Sequence, residues 1–354
     1  MKLFQCQNCN STVFFENYSC EKCGSKLGFL EREMALIALD PTINQWQLSR
    51  QNNTLFTYCA NHQHAVCNWL VEVGTSTHCS ACELNKIIPN LQIGQNKEKW
   101  NKLEIAKHRL IFQLLQLRLP IESKMIYKDS GLCFNFLSNE EAVGENKNLM
   151  TGHANGVITI LLSEADAVLL EKMKKNLDER YRTLIGHFRH EVGHYYWERL
   201  IRDNAYLLEQ YRDYFGDESV SYSDALDRHY RNGPDVNWQN SFISEYASSH
   251  PWEDWAETWA HYFHLMDTLE TAYYFGMKVN ARLAFENPIQ MDAFFDPYQE
   301  SNFEKIIDSC IPLYFAMNSM NRSMGITDIY PFVISDAVKK KMNFIHQIVQ
   351  TWVN

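Results

Sequence analysis

The chain has 354 residues, of which 45% are hydrophobic and 21% charged, a composition typical of a globular protein. Its formal net charge of −10 argues against a duplex nucleic-acid binder, which normally has a basic face, so nucleic acid is not an expected partner. The early sequence carries no export signal and the most apolar run, residues 156–163, is too short to span a bilayer, so we expect a cytoplasmic protein without a membrane partner.

The first motif consists of two C-x-x-C pairs with ten residues between them: Cys6, Cys9, Cys20 and Cys23. Each pair forms a tight knuckle that directs two sulfurs at one ion, and four thiolates complete a closed tetrahedral site. A module this small buries too little apolar surface to fold alone, so the metal has to stabilise it. The pattern predicts a structural zinc ribbon over residues 1–28.

Four further cysteines predict a second zinc-binding module over residues 55–90: Cys59, Cys67, Cys79 and Cys82. Without an export signal, thiolate metal sites explain such clusters better than disulfides do. The first half of this group is irregular, because seven residues separate Cys59 from Cys67 and His62 has knuckle spacing from Cys59. We favour the four cysteines as ligands, and His62 in place of Cys67 is the alternative.

The rest of the chain, residues 95–354, predicts a mainly helical body with a small sheet. Apolar residues at helical spacing predict a helix over residues 100–117. The glycine-punctuated segment 152–163 predicts a strand, followed by a helix from Glu164. Aromatic-rich helical patterns then continue, with a break at residues 233–234 and another at 250–251. The expected fold class is therefore α+β.

Within this body, His190, Glu191 and His194 stand in the order H-E-x-x-H. Positions i and i+4 share one face of a helix, so the two imidazoles can hold one metal ion. Glu191 flanks the place where a metal-bound water has to lose a proton. This spacing is typical of zinc hydrolases. His153 and His187 are expected to be satisfied core histidines, and the alternatives for His187 are a spare metal ligand or a hydrogen-bond donor to a residue of the site.

A catalytic zinc usually has a third protein ligand, and residues 244–264 are the best source of one. Pro251 marks the start of a helix, in which polar residues recur along one face: Glu253, Glu257, His261 and His264. Tryptophan, tyrosine and phenylalanine residues surround this stripe, so we predict a polar seam that faces inward. His250, just before the proline, is expected in the core, although it is also a candidate for contact with substrate.

HEVGH followed by E-x-x-A-E resembles the gluzincin metallopeptidases, in which a glutamate from a second helix is the third zinc ligand. By that resemblance Glu253 is the ligand, with Asp254 as its competitor, and Glu257 hydrogen-bonds a ligand histidine. Tyr246 lies seven residues before Glu253, the spacing of the catalytic tyrosine in lethal-factor-like and Pro-Pro endopeptidases. More widely, the chain resembles a bacterial family that joins a zinc ribbon to a zinc-binding metallopeptidase, through the segments CNWL, GHFRHEVGHYYW and HPWEDWAETWAHY.

The resemblance implies a zincin-like domain over residues 95–354 that cleaves a peptide or protein substrate with a zinc-activated water. Glu191 would transfer the proton of that water, and Tyr246 would donate a hydrogen bond to the tetrahedral oxyanion. The expected cofactors are one catalytic and two structural zinc ions. The strand at residues 156–162 is a candidate sheet edge to which a peptide adds as a further strand.

The alternative function is a binding module, in which the ribbons recruit a partner and the H-E-x-x-H domain is an inert scaffold. Glu191 separates the two functions, because a purely structural metal site needs no carboxylate beside an open coordination position.

Overall fold

The computed structural model describes five ranges of the chain: residues 1–47, 54–138, 151–166, 183–282 and 289–353. The chain divides into two compact units. Unit 1 comprises Met1–Ile111, Ile121–Thr151 and Thr159–Asp166, and unit 2 comprises Phe112–Pro120, Gly152–Ile158 and Ala167–Asn354. Within the described ranges, no helix combines the length and the apolar character that a membrane span requires.

The described residues at the start of unit 1 form short strands: β1 (Phe4–Gln5), β2 (Thr12–Val13), β3 (Lys26–Leu30), β4 (Ala35–Leu39), β5 (Trp46–Gln47), β6 (Leu55–Tyr58) and β7 (Leu70–Glu72). β1 pairs with β2, β3 pairs with β4, and β6 lies between β5 and β7, all antiparallel. A small apolar cluster joins the later hairpins: Leu30, Leu39, Trp46, Phe56 and Leu70. Such a core is small, which agrees with the need for metal sites in this part of the chain.

The next elements are α1 (Ser80–Glu83), β8 (Asn85–Ile87), α2 (Asn96–Gln116), β9 (Cys133–Leu137), β10 (Gly152–Ala154) and β11 (Val157–Leu161). Helix α2 confirms the helix predicted over residues 100–117. The helix predicted from Glu164 falls mostly outside the described residues, and its described part is a 3-10 helix, Leu162–Ala165.

Four of these strands form one sheet in the order β10-β11-β9-β8. Strand β11 is therefore an interior strand, and the prediction that residues 156–162 form a sheet edge is wrong. Ile158 and Ile160 are buried, and the residues between and beside them are half-buried. Interior strands and edge strands both show this alternation, so it could not distinguish them. Among the described strands of this sheet, β10 takes the edge beside β11.

Unit 2 is built mainly from helices: α3 (Leu184–Leu200), α4 (Ala205–Phe215), α5 (Tyr222–Asn232), α6 (Pro251–Tyr274), α7 (Phe303–Ser323) and α8 (Asp336–Val353). One hairpin, β12 (Lys278–Asn280) with β13 (Gln290–Asp292), precedes α7. The predicted breaks are confirmed, because α5 ends at Asn232, just before Gly233, and α6 begins at Pro251. The α+β class, with cysteine-rich strands before a mainly helical domain, is therefore confirmed.

The two helices that carry the sequence motifs begin at well-formed caps. The side chain of Thr183 accepts a hydrogen bond from the amide of Gly186 at 3.0 Å at the start of α3. At α6, Pro251 occupies the first turn and the ring Nδ1 of His250 accepts from the amide of Trp252 at 3.0 Å. His250 is only 4% exposed and caps the helix from a buried position, which agrees with the expectation that it lies in the core.

Helices α3 and α6 cross closely at Gly193, the glycine of HEVGH. A Cβ atom at this position would lie 3.1 Å from Cα of Ala256 and 3.2 Å from Cβ of Trp259. The indole N–H of Trp255 donates to the carbonyl of Gly193 at 2.9 Å. A larger residue would separate the helices, so Gly193 permits the short distance between the histidines of α3 and the carboxylates of α6.

We expect Gly193→Leu to lower the free energy of unfolding by roughly 1–3 kcal/mol, because an extra side chain has to be forced into a packed crossing. Urea denaturation followed by circular dichroism measures this loss. Gly193→Ala is the matched control, and its cost is smaller because alanine favours the helix by about 1 kcal/mol over glycine. A leucine variant as stable as wild type would contradict the close-crossing explanation.

Candidate metal centre

Three side chains from α3 and α6 converge on one point in unit 2: His190, His194 and Glu253. The Nε2 atoms of His190 and His194 are 3.2 Å apart. Oε2 of Glu253 lies 3.1 Å from Nε2 of His190 and 3.5 Å from Nε2 of His194. Helical periodicity places the two histidines on one face of α3, and the helix crossing at Gly193 brings α6 against that face.

The donor set fits a zinc ion. Nδ1 of His190 donates to Oε1 of Glu257 at 2.7 Å, and its Nε2 faces the Oε2 atom of Glu253. In the neutral ring Nε2 offers a lone pair, and two imidazole nitrogens with one carboxylate oxygen are ligand atoms that zinc takes. Tetrahedral zinc with bonds of about 2.1 Å places its ligand atoms about 3.4 Å apart, close to the three distances above.

Glu257 orients one of these histidines. While its Oε1 accepts from His190, its Oε2 accepts from the hydroxyl of Ser244 at 2.6 Å. Burial raises the pKa of Glu257, but the hydrogen bond and charge of His190 outweigh burial and lower it to about 2. An ionised carboxylate that holds the far nitrogen of a histidine fixes the ring orientation and the tautomer that binds metal.

Tyr222 of α5 contacts the carboxylate that faces the histidines, and the sequence analysis did not identify it. Its hydroxyl donates to Oε1 of Glu253 at 2.6 Å, which leaves Oε2 directed at the two imidazoles. Burial, and then the charge of Glu253, raise the pKa of Tyr222, so the phenol remains a donor. Tyr222 precedes Glu253 by 31 residues, and no local pattern links the two.

Tyr246, the predicted catalytic tyrosine, lies beside the same centre at the start of a 3-10 helix, Tyr246–Ser249. Its ring centroid is 6.1 Å from that of His190. Burial, and then the charges of Glu253 and Tyr222, raise the pKa of Tyr246. The phenol is therefore a neutral hydrogen-bond donor beside His190.

Glu191 lies next to the converging atoms without being one of them. Its Oε1 atom is 3.1 Å from Nε2 of His187. Burial raises the pKa of Glu191, but the hydrogen bond and charge of His187, with the charges of His190 and His194, lower it to about 2. The hydrogen bond with His187 therefore favours the ionised form of this carboxylate.

Asp254, the competing third ligand, is not in the converging group. Its side chain is fully buried and accepts from Nζ of Lys341, in α8, at 2.6 Å. Burial raises the pKa of Asp254 to about 7, although the charge of Lys341 opposes that shift. Successive helix positions point about 100° apart, so Asp254 serves the packing of α6 against α8 while Glu253 reaches the histidines.

The remaining members of the polar stripe on α6 are also buried, as predicted. His261 bonds to the hydroxyl of Tyr330 through Nδ1 at 2.8 Å. His264 contacts Arg189, whose guanidinium also pairs with Asp267 at 2.7 Å. The polar stripe of α6 therefore continues beyond Glu253 into a network of buried hydrogen bonds. His261 and His264 belong to this network and not to the group of His190, His194 and Glu253.

In unit 1, the first four cysteines form one cluster: Cys6, Cys9, Cys20 and Cys23. The Sγ atoms of Cys6 and Cys23 are 3.7 Å apart, and those of Cys9 and Cys20 are 3.5 Å apart. Zn–S bonds of about 2.3 Å in a tetrahedron place sulfurs about 3.8 Å apart, so the cluster fits zinc. The two knuckles have the same turn, closed by amides that donate to the Cys6 and Cys20 carbonyls at 2.8 Å.

The second cluster contains all four remaining motif cysteines: Cys59, Cys67, Cys79 and Cys82. Sγ of Cys67 is 3.7 Å from Sγ of Cys79, again a distance suited to one zinc ion. His62 is not a member of this cluster. Its ring stacks on Tyr58 with centroids 3.7 Å apart, and its Nδ1 donates to the carbonyl of Cys67 at 2.9 Å. The structure thus brings Cys67, rather than His62, to the other three sulfurs.

We expect Cys20→Ser to remove about one zinc ion per chain and to unfold the first ribbon, because a small metal module folds only with its metal. The histidine centre should keep its metal, since it belongs to the other unit. Elemental analysis per chain and limited proteolysis of residues 1–28 measure the two effects. Cys133→Ala, which removes a buried thiol outside both clusters, is the control. If Cys20→Ser emptied every site, the sites would not be independent.

Comparison with known proteins agrees with these sites. Residues 96–348 match the family described as "Putative zinc-binding metallo-peptidase", and residues 3–93 match the family described as "zinc-ribbon domain". A protein of Mycobacterium bovis and two of Mycobacterium tuberculosis strains, each described as an uncharacterized protein, are 43% identical to the chain over 352 residues, covering 99% of this chain and 95% of theirs. No solved structure matches the chain. The chain therefore belongs to the zinc-binding metallo-peptidase family with an N-terminal zinc-ribbon domain, as the resemblance in its sequence implied.

Proposed function

We propose that this protein is a zinc-dependent peptidase whose general base is Glu191. The observation that carries the proposal is a buried carboxylate that directly follows His190 on the same helix and lies outside the converging group of two histidines and Glu253. A zinc ion held by that group would lower the pKa of a bound water and polarise a scissile carbonyl. A site that only stabilises the fold has no use for the extra carboxylate.

The chain's own residues divide the remaining chemistry. Glu191 accepts the proton of the attacking water and passes it to the leaving amine. Tyr246 donates a hydrogen bond to the oxygen that becomes negative in the tetrahedral intermediate. Glu257 holds the ring of His190, and Tyr222 holds Glu253, so that both side chains keep their orientation during turnover.

The position of β10 favours an extended peptide as substrate. His153, in β10, stacks on the ring of His194 with centroids 6.1 Å apart, so this strand runs beside the metal-type group. A peptide that pairs with β10 as an added strand would present its backbone carbonyls to the centre. In this proposal the peptide adds to β10, and not to the strand at residues 156–162 as the sequence predicted.

The same proposal includes one catalytic and two structural zinc ions, one for each of the three groups described above. The predicted division into a ribbon at residues 1–28, a second module at 55–90 and a peptidase domain at 95–354 stays a prediction. A cytoplasmic location is also proposed, because a reducing compartment keeps eight thiolates available for metal.

A peptide library derived from a whole proteome tests the activity, with mass spectrometry of the newly formed termini as the measurement. We expect the wild-type protein to generate new termini, a chelator to abolish them, and added zinc to restore them, because each cut requires the metal. A zinc-loaded, folded protein that generates no termini under any tested pH and salt condition would favour the non-catalytic binding module.

A further inference from the structure

His187 is a partly exposed histidine that the sequence analysis assigned to the core. Its side chain is 16% exposed, whereas that of its partner Glu191 is 6% exposed. The residue stands one turn before Glu191 on α3, and its Nε2 lies 3.1 Å from Oε1 of that carboxylate. His187 does not belong to the group of converging metal-type atoms. One of its contacts is with the proposed general base.

An i,i+4 ion pair on an open helix surface contributes only a few tenths of a kcal/mol. The pair at His187 differs, because the carboxylate it contacts is buried and has to remain ionised to accept a proton. A buried carboxylate without a hydrogen-bond donor is strongly disfavoured in its charged form. His187, which precedes His190 by three residues on the same helix, supplies that donor through Nε2.

The contact also restricts geometry. A glutamate has three rotatable bonds, and proton transfer requires one of its oxygens to stay within hydrogen-bond distance of the attacking water. With Oε1 of Glu191 held by His187, the other carboxylate oxygen is left for that water. A displacement of about 1 Å in such a group is enough to lower turnover by roughly 100-fold.

We propose that His187 is a positioning residue, which donates through Nε2 to Oε1 of Glu191 and holds the carboxylate in the orientation that proton transfer requires. This inference rests on the proposed function of Glu191. It assigns to His187 no metal ligation and no direct contact with substrate.

Three substitutions separate the hydrogen bond from the shape of the ring. In His187→Gln the side-chain amide can take the place of Nε2 and donate, whereas His187→Phe keeps a ring without a donor and His187→Asn is too short to reach Glu191. We expect kcat to fall by roughly 10-fold to 100-fold in the phenylalanine and asparagine variants, with KM nearly unchanged. The glutamine variant should recover most of the activity, and zinc content should equal that of wild type in all three.

A binding measurement makes the test independent of the unknown substrate. Acetohydroxamate binds zinc through two oxygens, and its acidic proton can be shared with a carboxylate beside the metal. Isothermal titration of zinc-loaded protein should show affinity at least about tenfold lower for Glu191→Gln, His187→Phe and His187→Asn than for wild type and His187→Gln. Because two variants lack the donor, the result does not depend on one of them folding.

The outcomes distinguish the two levels of the proposal. If Glu191→Gln changes neither hydroxamate affinity nor turnover, the proposed function fails and the inference fails with it. If Glu191→Gln lowers the affinity while His187→Phe and His187→Asn match wild type, the function stands and the positioning role of His187 is overturned. A lower zinc content in the His187 variants would likewise overturn it, because it would indicate a role in metal binding.

Discussion

Glu191→Gln is expected to lower turnover by about 10²-fold to 10⁴-fold, the usual contribution of a positioned general base. Glutamine has nearly the same shape and can still hydrogen-bond a water, but it cannot accept a proton at neutral pH. Zinc content should stay unchanged, because the carboxylate lies outside the group formed by the two histidines and Glu253. The measurement is the rate of appearance of new termini, normalised to zinc per chain.

Two controls accompany this substitution. Glu209→Gln changes an exposed glutamate of α4 and should leave the rate of cleavage close to that of wild type. Thermal unfolding of the Glu191→Gln protein shows whether the fold is intact. Equal rates for the wild-type and Glu191→Gln proteins, with zinc present in both, would contradict catalysis by Glu191 and favour the scaffold function.

Glu253→Ala is expected to release the metal of the histidine centre, so that elemental analysis finds about one zinc ion fewer per chain and cleavage is lost. The substitution removes one of three ligand atoms and leaves two imidazoles to hold the ion alone. Glu257→Ala should be milder and weaken the affinity by roughly 10-fold to 100-fold, because this residue acts on the metal only through His190. Competition with a zinc chelator measures both affinities.

Asp254→Asn is the neighbouring control for this experiment. It should retain the zinc of the histidine centre, because the Asp254 side chain is paired with Lys341 instead. Its expected effect is on stability, since the substitution leaves a buried lysine charge without its partner. Loss of zinc in Asp254→Asn together with full zinc in Glu253→Ala would exchange the roles of the two acids.

The local patterns of the chain predicted most of the converging residues. Histidines at i and i+4 share a helix face wherever a helix forms, so spacing alone predicted that His190 and His194 converge. Cysteines at C-x-x-C spacing form knuckles by the same kind of local geometry. The aromatic residues around Glu253 and Glu257 indicated that this face of α6 is buried, which the structure confirms for Glu253. The resemblance to a family then selected Glu253 over Asp254, and the contact of Asp254 with Lys341 supplies the physical reason for that choice.

Some contacts of the site had a local sequence pattern from which they could have been predicted. His187 and Glu191 stand at i and i+4 on α3, the same spacing that identified the metal-type histidines, and their contact could have been predicted. Ser244 lies within the segment already chosen as the source of the third ligand, although its partner Glu257 is 13 residues later. The irregular spacing around Cys59 left Cys67 and His62 as alternatives, since a loop of seven residues can close in either way.

Other features were decided only by tertiary structure. Tyr222 reaches Glu253 because α5 packs near the start of α6, and a hydrogen bond across 31 residues leaves no periodicity in the sequence. Alternating burial identified β11 as a strand, but whether it is an edge depends on which strands pair with it, and β10 and β9 do so. The sequence by itself therefore determined the histidine pair and the cysteine knuckles, because helix and knuckle geometry act over a few positions. The helix crossing and the strand order determined how those residues are held, because they depend on packing between distant segments.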